Sequence, residues 1–464
     1  MRRMPMQLPG LVRRTVAALC ALSVLAGPLP ASAQTAPRGM SVIRDAEIEA
    51  LLRDYMTPIF RASGVGEGVV DITIINSREF NAFVADGRRI FVNTGTLIDS
   101  KTPNEVIGVL AHETGHIAGG HLARLRQQVD NMQTMAIVAM LLGMGAMAGA
   151  AVSGGRNGTG DAAMGAVMAP QQMIQRTMLA YVRTQEEAAD RAAVSYLNKT
   201  GQSAKGMLTT FRRFAQQVAF SKRFIDPYAQ THPMPQERIE ALEHLAEQSP
   251  YYDKVDSPAL QARHDLMRAK LIGFTDTPAA VGRRYPPSDD SLPARYARAI
   301  ATYRSAPLPG AIAQIDGLIA SQPNNPYFHE LKGQAYLENG RPKEAVGPLR
   351  RALALAPNAS LIRTMLGQAL NAGGGDSKTA MSELTRATAV DTKNADGYRE
   401  LAMAYAKQNK IPEADLASAQ AAFASGDYGT ARQIAERAKR GFKQGTPNWL
   451  KADDIATYTP PKLN

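Results

Sequence analysis

The 464 residues are enough for two or three domains. The one cysteine, Cys20, lies in an N-terminal segment predicted to be removed, which excludes a cysteine-ligated metal from the mature chain. The formal net charge is +11 and falls to +7 without the four arginines of residues 1–33. Because no dense basic run occurs, a basic surface near anionic lipid or cell-wall polymer, with possible peripheral membrane contact, is favoured over nucleic-acid binding.

Residues 1–33 have the three parts of a secretory signal peptide. A short apolar stretch, 16–25, is followed by the small-residue cleavage site Ala-Ser-Ala at 31–33. The basic end before it contains Arg2, Arg3, Arg13 and Arg14. Since the apolar stretch is too short to span a bilayer, an uncleaved membrane anchor is the less favoured alternative. The sequence therefore predicts an exported protein whose mature chain begins near residue 34.

A helix and a small sheet are predicted next. Asp45 is a possible N-cap for a helix whose apolar side chains follow at helical spacing. Residues 69–76 are rich in β-branched side chains and predict a strand, and residues 79–93 predict a hairpin around the turn Asp86-Gly87. The sheet is either a scaffold or, if its edge strand lies beside the helix that follows, a surface that binds an extended peptide by adding a strand.

The most informative stretch is 109–116, Val-Leu-Ala-His-Glu-Thr-Gly-His. The preceding Thr-Pro-Asn-Glu at 102–105 predicts a helix start, with a capping box and proline at the first helical position. On that helix His112 and His116 share one face, with Glu113 beside them. Two neutral imidazoles and a carboxylate provide what a catalytic Zn²⁺ site needs, namely ligands and a base. The alternative is a pair of core histidines with ordinary hydrogen-bond partners.

Three glycines lie within and just after this motif. Gly115, Gly119 and Gly120 each weaken a helix by about 1 kcal/mol relative to alanine. Three glycines so close together predict that another backbone packs tightly there. His121 lies five residues after His116, so on a continuing helix it points elsewhere, and we interpret it as structural or at most as a partner of a ligand.

Residues 135–152 carry no charge and run into a glycine-rich turn. Their length allows a membrane-spanning helix, but their alanine and glycine content makes a weak one. Contact with a membrane surface is a second interpretation. The favoured interpretation is a helical, mobile lid over a cleft.

Two later segments offer further site residues. Glu186 and Asp190 lie four apart on a predicted polar helix, where such a pair is usually solvated. Here Glu186 can supply a third protein ligand, and Asp190 can orient a ligating histidine through its second nitrogen. His232 lies in a loop stiffened by Pro233 and Pro235. It either belongs to an ordinary helix N-terminus or reaches the zinc, as a fourth ligand or as an electrophile for the oxyanion.

Together, the His112–His116 motif, the Glu186–Asp190 pair and the upstream hairpin resemble the metallopeptidase family that includes the CAAX prenyl endopeptidase and the heat-shock protease HtpX. The resemblance covers roughly residues 41–245. It implies that His112, His116 and Glu186 are zinc ligands, that Glu113 is the catalytic glutamate and that Asp190 holds a ligand in place. Unlike the membrane-embedded relatives, this chain lacks convincing multiple transmembrane helices.

The C-terminal half predicts helical repeats. Residues 251–291 predict a helical linker, and a repeat with a period near 34 follows over 292–445. Small residues at tetratricopeptide spacing, such as Gly333, Gly340 and Ala345, let paired helices pack closely and stack into a concave surface. Residues 446–464 are predicted to be a loosely ordered tail.

The predicted fold class is mainly α with a small sheet: a signal peptide (1–33), a zincin-type domain (34–250), a linker and a repeat array. This combination resembles the periplasmic members of the metallopeptidase family that carry such repeats, and they also have a His-Pro at the position of His232. The resemblance implies a periplasmic zinc endopeptidase, with one Zn²⁺ per chain, acting on unfolded or outer-membrane proteins through contact with the β-barrel assembly machinery. The alternative is a chaperone or scaffold with a latent zinc site.

Overall fold

The computed structural model describes residues 41–66, 68–85, 87–132, 159–220, 232–233 and 236–460, and within these the side chains of 159–175 and 217–220 are not described. The predicted signal peptide and the apolar stretch 135–152 lie outside the described residues. Among the helices of these ranges, none has the length and apolar character needed to cross a membrane.

The sheet has four described strands in the order β1-β2-β4-β3. They are β1 (Val42–Ile43), β2 (Asp71–Ile75), β3 (Ala82–Val84) and β4 (Arg89–Asn93). β3 and β4 pair antiparallel, as the predicted hairpin requires, and Gly87 between them has φ +75°, a conformation that favours glycine. β2 pairs parallel with β4. β3 is therefore an edge strand, and it contacts the helix that carries the histidine motif.

The described N-terminal part of the chain also contains helices α1 (Ala46–Ser63), α2 (Thr94–Asp99), α3 (Pro103–Ala118), α4 (Thr159–Lys199), α5 (Lys205–Phe220) and α6 (Gln236–Glu247). Residues 121–132 are also helical. Both predicted helix starts are confirmed. The Asp45 side chain accepts from the Ile48 N–H at α1, and Thr102 accepts from the Glu105 N–H at α3, with Pro103 in the first turn. These caps satisfy amides that would otherwise lack partners.

Helix α3 is central to the N-terminal half of the chain and is buried along nearly its whole length. Its glycines allow neighbouring helices to approach closely. A Cβ at Gly108 would lie 2.7 Å from the Met207 Cβ of α5, and a Cβ at Gly115 would lie 2.9 Å from the Ala189 carbonyl oxygen of α4. The predicted close backbone approach is thus confirmed at Gly115, where it brings α4 against the histidine face of α3.

The remaining helices form the array. They are α7 (Pro258–Thr275), α8 (Pro278–Arg284), α9 (Leu292–Ser305), α10 (Leu308–Ser321), α11 (Pro326–Glu338), α12 (Pro342–Leu355), α13 (Ser360–Ala372), α14 (Ser377–Val390), α15 (Ala395–Lys407), α16 (Ile411–Ala424), α17 (Tyr428–Lys439) and α18 (Pro447–Thr457). The same glycine–leucine contact between paired helices occurs in two successive repeats. Gly333 leaves room for Leu349, and Gly367 leaves room for Leu384 in the next unit.

The predicted linker is not a separate element. Helix α7 packs along α9, where a Cβ at Gly273 would lie 2.9 Å from the Ile300 Cβ, and one continuous apolar core extends from α1 and α3 through α7 to α11. The predicted boundary at residue 292 therefore cuts through a packed interface. The sequence predicts that this segment is helical but does not show what it contacts, and in the structure its apolar residues are buried in the shared core.

A buried charge cluster crosses the same interface. The Lys270 ammonium of α7 lies 2.8 Å from Asp45 Oδ2 and 3.3 Å from Glu47 Oε2 at the start of α1, and 3.6 Å from Glu330 Oε2 of α11. Tyr296 of α9 donates to Glu47 at 2.9 Å. Burial raises the pKa of Glu330 to about 8, although Lys270 acts in the opposite direction. The cluster joins the first helix of the N-terminal half to three helices of the array.

The prediction of a loosely ordered tail is wrong for residues 447–457, which form helix α18. Ala452 and Ala456 lie four apart and are buried, so one face of this helix covers the end of the array. Lys439 and Asp453 form an ion pair at 2.7 Å across the contact with α17. Helix α18 therefore caps the C-terminal end of the array, as terminal units of repeat proteins usually do.

His264 should make folding stability pH-dependent. Its buried ring accepts from the Tyr55 hydroxyl at 3.0 Å and donates from Nε2 to the Ser100 carbonyl at 3.0 Å, and burial lowers the pKa of His264 from 6.5 to about 4. As the pH falls below 6.5, His264 is protonated in the unfolded chain but stays neutral in the folded chain. The free energy of unfolding therefore decreases between pH 6.5 and pH 4. We expect His264 alone to lower the free energy of unfolding by about 2 kcal/mol between pH 7 and pH 5.

The measurement is urea denaturation at both pH values, followed by circular dichroism in the presence of a chelator. His264→Gln keeps an acceptor and a donor but does not titrate, so its pH dependence should be shallower by that amount. Parallel pH dependences for the two proteins would contradict the assignment.

Candidate metal centre

Three segments supply the polar side chains of the centre. Helix α3 carries His112, Glu113 and His116, and helix α4 carries Glu186 and Asp190. The loop before α6 carries His232. The contact of Gly115 with Ala189 fixes the distance between α3 and α4 at the level of these side chains. All the residues predicted for the site therefore come together in one place.

Four potential ligand atoms converge at short distances. His112 Nε2 lies 3.0 Å from His116 Nε2, and Glu186 places one carboxylate oxygen 3.3 Å from each of them. His232 Nδ1 lies 3.4 Å from His112 Nε2 and 3.0 Å from Glu186 Oε2. Ligand atoms of the four residues all lie within 4.8 Å of one another.

This arrangement fits a metal ion. Four ligands held tetrahedrally around Zn²⁺ at 2.0–2.1 Å would lie about 3.3 Å apart, close to the separations of these nitrogen and oxygen atoms. The residues are buried, His112 completely and His116 at 14% side-chain exposure. Burial lowers the pKa of His116 to about 3, which keeps this imidazole neutral and its lone pair available.

Asp190 holds the outer nitrogen of His112. Its Oδ1 lies 2.9 Å from His112 Nδ1, so Nε2 is the nitrogen that faces Glu186 and His116. Burial alone would lower the pKa of His112, but the hydrogen bonds to Asp190 and Glu186 raise it to about 9. The structure thus places Asp190 where it can orient a ligating histidine.

Arg238 of α6 binds both acidic residues, and the sequence did not identify it. Its Nε and Nη2 donate to Asp190 at 2.6 and 2.9 Å, and its Nη1 lies 2.9 Å from Glu186 Oε2. Nη1 also donates to the Pro233 carbonyl at 2.8 Å. One guanidinium therefore joins α4 to the His232 loop. The sequence offered only an indirect indication of this role: two buried carboxylates need a cation, and Arg238 lies in the first turn of the helix after His232.

His121 is closer to the site than its spacing predicted. Helix α3 ends at Ala118, and Gly120 has φ +62°, so the chain turns before His121. Its Nδ1 lies 3.0 Å from His116 Nδ1. The expectation that it points elsewhere is wrong because the helix does not continue through the glycines.

Glu113 lies beside the ligand atoms with a side chain only 1% exposed. Its Oε1 is 3.4 Å from His232 Nε2 and makes no hydrogen bond within the described part of the chain. Burial raises the pKa of Glu113. A carboxylate with a raised pKa and a free oxygen directed at the site is suited to accept and return a proton.

Comparison with known proteins matches both halves of the chain. Residues 43–246 match the model of peptidase family M48, and residues 296–360 match that of a tetratricopeptide repeat. The chain is 24% identical to the beta-barrel assembly-enhancing protease of Escherichia coli K12, over 82% of this chain and 76% of the relative. The Yersinia pestis protein of that name is 22% identical with the same coverage. Metalloprotease YcaL of Escherichia coli K12 is 32% identical over 32% of this chain and 51% of its own.

Proposed function

We propose that this metalloprotease, a peptidase family M48 domain joined to tetratricopeptide repeats, is a periplasmic zinc-dependent endopeptidase. Its substrates would be misfolded or stalled outer-membrane proteins, and its repeats would dock a partner or substrate in outer-membrane protein assembly. The observation that carries the proposal is the convergence of His112, His116 and Glu186 with Glu113 beside them. A buried set of nitrogen and oxygen ligands next to a carboxylate with a raised pKa is suited to peptide hydrolysis.

In this mechanism His112, His116 and Glu186 hold the metal. When bound, zinc supplies a Lewis acid that polarises a carbonyl and acidifies water. Glu113 takes the proton from the attacking water and returns it to the leaving amine, a transfer that its raised pKa favours. Asp190 and Arg238 keep His112 and Glu186 in position during the reaction.

The proposed substrate and location are supported by observations other than the metal site. The relatives that match most of the chain are named for enhancing β-barrel assembly, and residues 1–33 have the pattern of an export signal. Edge strand β3 lies beside α3, so an extended substrate segment could add to the sheet next to Glu113. The stacked repeats offer a second surface for contact with the assembly machinery.

A second candidate function is a chaperone or scaffold whose metal site is latent. The position of His232 favours it. Its Nδ1 lies among the other three ligand atoms, where this imidazole would be a fourth ligand and fill the coordination position that a catalytic zinc keeps open. Cleavage of casein and of an unfolded outer-membrane protein by the purified mature chain separates the two functions. Failure to cleave either one, with zinc bound, would favour the scaffold.

Metal content tests the ligand assignment. The mature protein should bind close to one Zn²⁺ per chain, and His116→Ala or Glu186→Ala should remove most of it, since each loses one of three principal ligands. Elemental analysis after gel filtration gives the stoichiometry. His244→Ala is the matched control, because His244 is exposed on α6. Equal metal content in wild type and His116→Ala would refute the site.

Whether His232→Ala raises or lowers the rate of peptide cleavage decides the role of His232. If its imidazole fills the fourth position, His232→Ala should raise basal cleavage without reducing bound zinc. If His232 instead stabilises the oxyanion, kcat should fall by about 10²-fold or more. We expect the increase, because Nδ1 already lies 3.0 Å from Glu186 Oε2. Initial rates on casein measure it, and unchanged rates would leave His232 a purely structural role.

A further inference from the structure

We infer that His121 is a positioning residue for His116: it accepts the proton of the outer nitrogen of His116 and so directs the inner nitrogen to the metal. The inference rests on the metal site of the proposed function. It starts from one short contact, 3.0 Å between His121 Nδ1 and His116 Nδ1.

The direction of this hydrogen bond follows from the inner side of the His116 ring. Nε2 faces His112 Nε2 at 3.0 Å and Glu186 Oε1 at 3.3 Å, so it is the ligand atom and must keep its lone pair. A neutral imidazole then carries its proton on Nδ1. That proton lies between two Nδ1 atoms, so the His121 nitrogen must be the acceptor, and His121 must carry its own proton on Nε2.

The backbone after α3 is built to present His121 in this way. Gly120 adopts φ +62°, which turns the chain back towards α3. A Cβ at Gly119 would overlap the His121 ring, so only glycine leaves the space that the ring fills. His121 is 7% exposed, and its ring packs edge-on against that of His116 at a centroid distance of 5.0 Å. Gly119 and Gly120 thus allow His121 to lie against the ligand His116.

The two histidine ligands of α3 are therefore supported differently. His112 Nδ1 faces the Asp190 carboxylate, which Arg238 holds through two hydrogen bonds. His116 Nδ1 faces a neutral imidazole. Loss of an outer partner of a metal-ligating histidine typically weakens metal binding 10- to 100-fold. The same range is expected when a substitution at position 121 removes the acceptor for His116 Nδ1.

The test compares replacements that keep or remove the acceptor. In His121→Phe the ring volume is retained without an acceptor, and in His121→Leu the position is apolar and smaller. In His121→Asn the side-chain oxygen can take the place of Nδ1. We expect the dissociation constant for Zn²⁺, measured on the full mature chain by competition with a chromophoric chelator, to rise 10- to 100-fold for Phe and Leu. For Asn it should stay within about threefold of wild type.

His329→Asn is the control, since His329 lies in the array, where its Nε2 hydrogen-bonds to the Pro323 carbonyl oxygen at 2.9 Å. Wild-type affinity in His121→Phe or, should that variant not fold, in His121→Leu would overturn the inference. Equal weakening in the Asn and apolar variants would also overturn it, because packing rather than hydrogen bonding would then explain the loss. Failure of the wild type to bind Zn²⁺ would instead refute the proposed function.

Discussion

Glu113→Gln is expected to abolish measurable peptide cleavage while leaving the metal bound. The amide keeps the size of the side chain but cannot accept a proton, and loss of general acid–base catalysis costs about 10²- to 10⁴-fold in rate. Glu113 is not among the four residues whose ligand atoms converge. Rates on casein and on an unfolded outer-membrane protein, with zinc content measured on the same preparation, would establish both parts.

Glu187→Gln is the matched control for this change. Glu187 follows Glu186 on α4 but is exposed, with a side chain 54% accessible and an ion pair to Arg191. The Glu187→Gln protein should cleave both substrates at the wild-type rate. A Glu113→Gln protein that retains more than about a tenth of the wild-type rate would show that another group moves the proton.

Arg238→Met should have the largest effect on folding. Its guanidinium, 4% exposed, binds Asp190 through two hydrogen bonds and also Glu186, so its removal leaves two buried carboxylates without their cation. Breaking a buried pair in this way costs about 3–5 kcal/mol. Urea denaturation in the presence of a chelator measures the loss without any contribution from bound metal.

Arg191→Met is the comparison for an exposed ion pair and should cost less than about 1 kcal/mol. The double variant Arg238→Met with Asp190→Asn should recover part of the loss, because one of the uncompensated charges is then gone. A loss below 1 kcal/mol for Arg238→Met alone would show that Asp190 and Glu186 do not depend on it.

Local spacing allowed much of the site to be predicted. His112 and His116 are close because a helix places residues four apart on one face, and Thr102 with Pro103 fixed the start of that helix. Glu186 and Asp190 carried the same signal on a second helix. The glycines at 115, 119 and 120 predicted that another backbone packs against α3, because a glycine inside a helix costs stability. They did not show which segment it would be, and at Gly115 the structure shows that it is α4.

The residues that sequence reasoning missed depend on contacts between distant segments or on where a helix stops. Arg238 reaches Asp190 across 48 positions, and no periodicity links them. His121 was misplaced because helical spacing was extended past Gly119 and Gly120, where the helix has ended. Among the helices, α7 was assigned to a linker because its sequence shows that it is helical but not which helices it contacts.

The buried Lys270 cluster has a consequence for exchanging parts between relatives. Asp45 and Glu47 come from the first helix of the peptidase half, Tyr296 and Glu330 come from the array, and Lys270 lies between them. A chimera that joins this peptidase to a foreign array at residue 292 would keep Lys270 with Asp45 and Glu47 but lose Tyr296 and Glu330. In the buried interface, Glu47 would then lack its tyrosine donor and Lys270 would lack one of its three carboxylates. The exchangeable unit is therefore not the repeats alone: a transplanted array must supply a hydroxyl and a carboxylate at the positions of Tyr296 and Glu330.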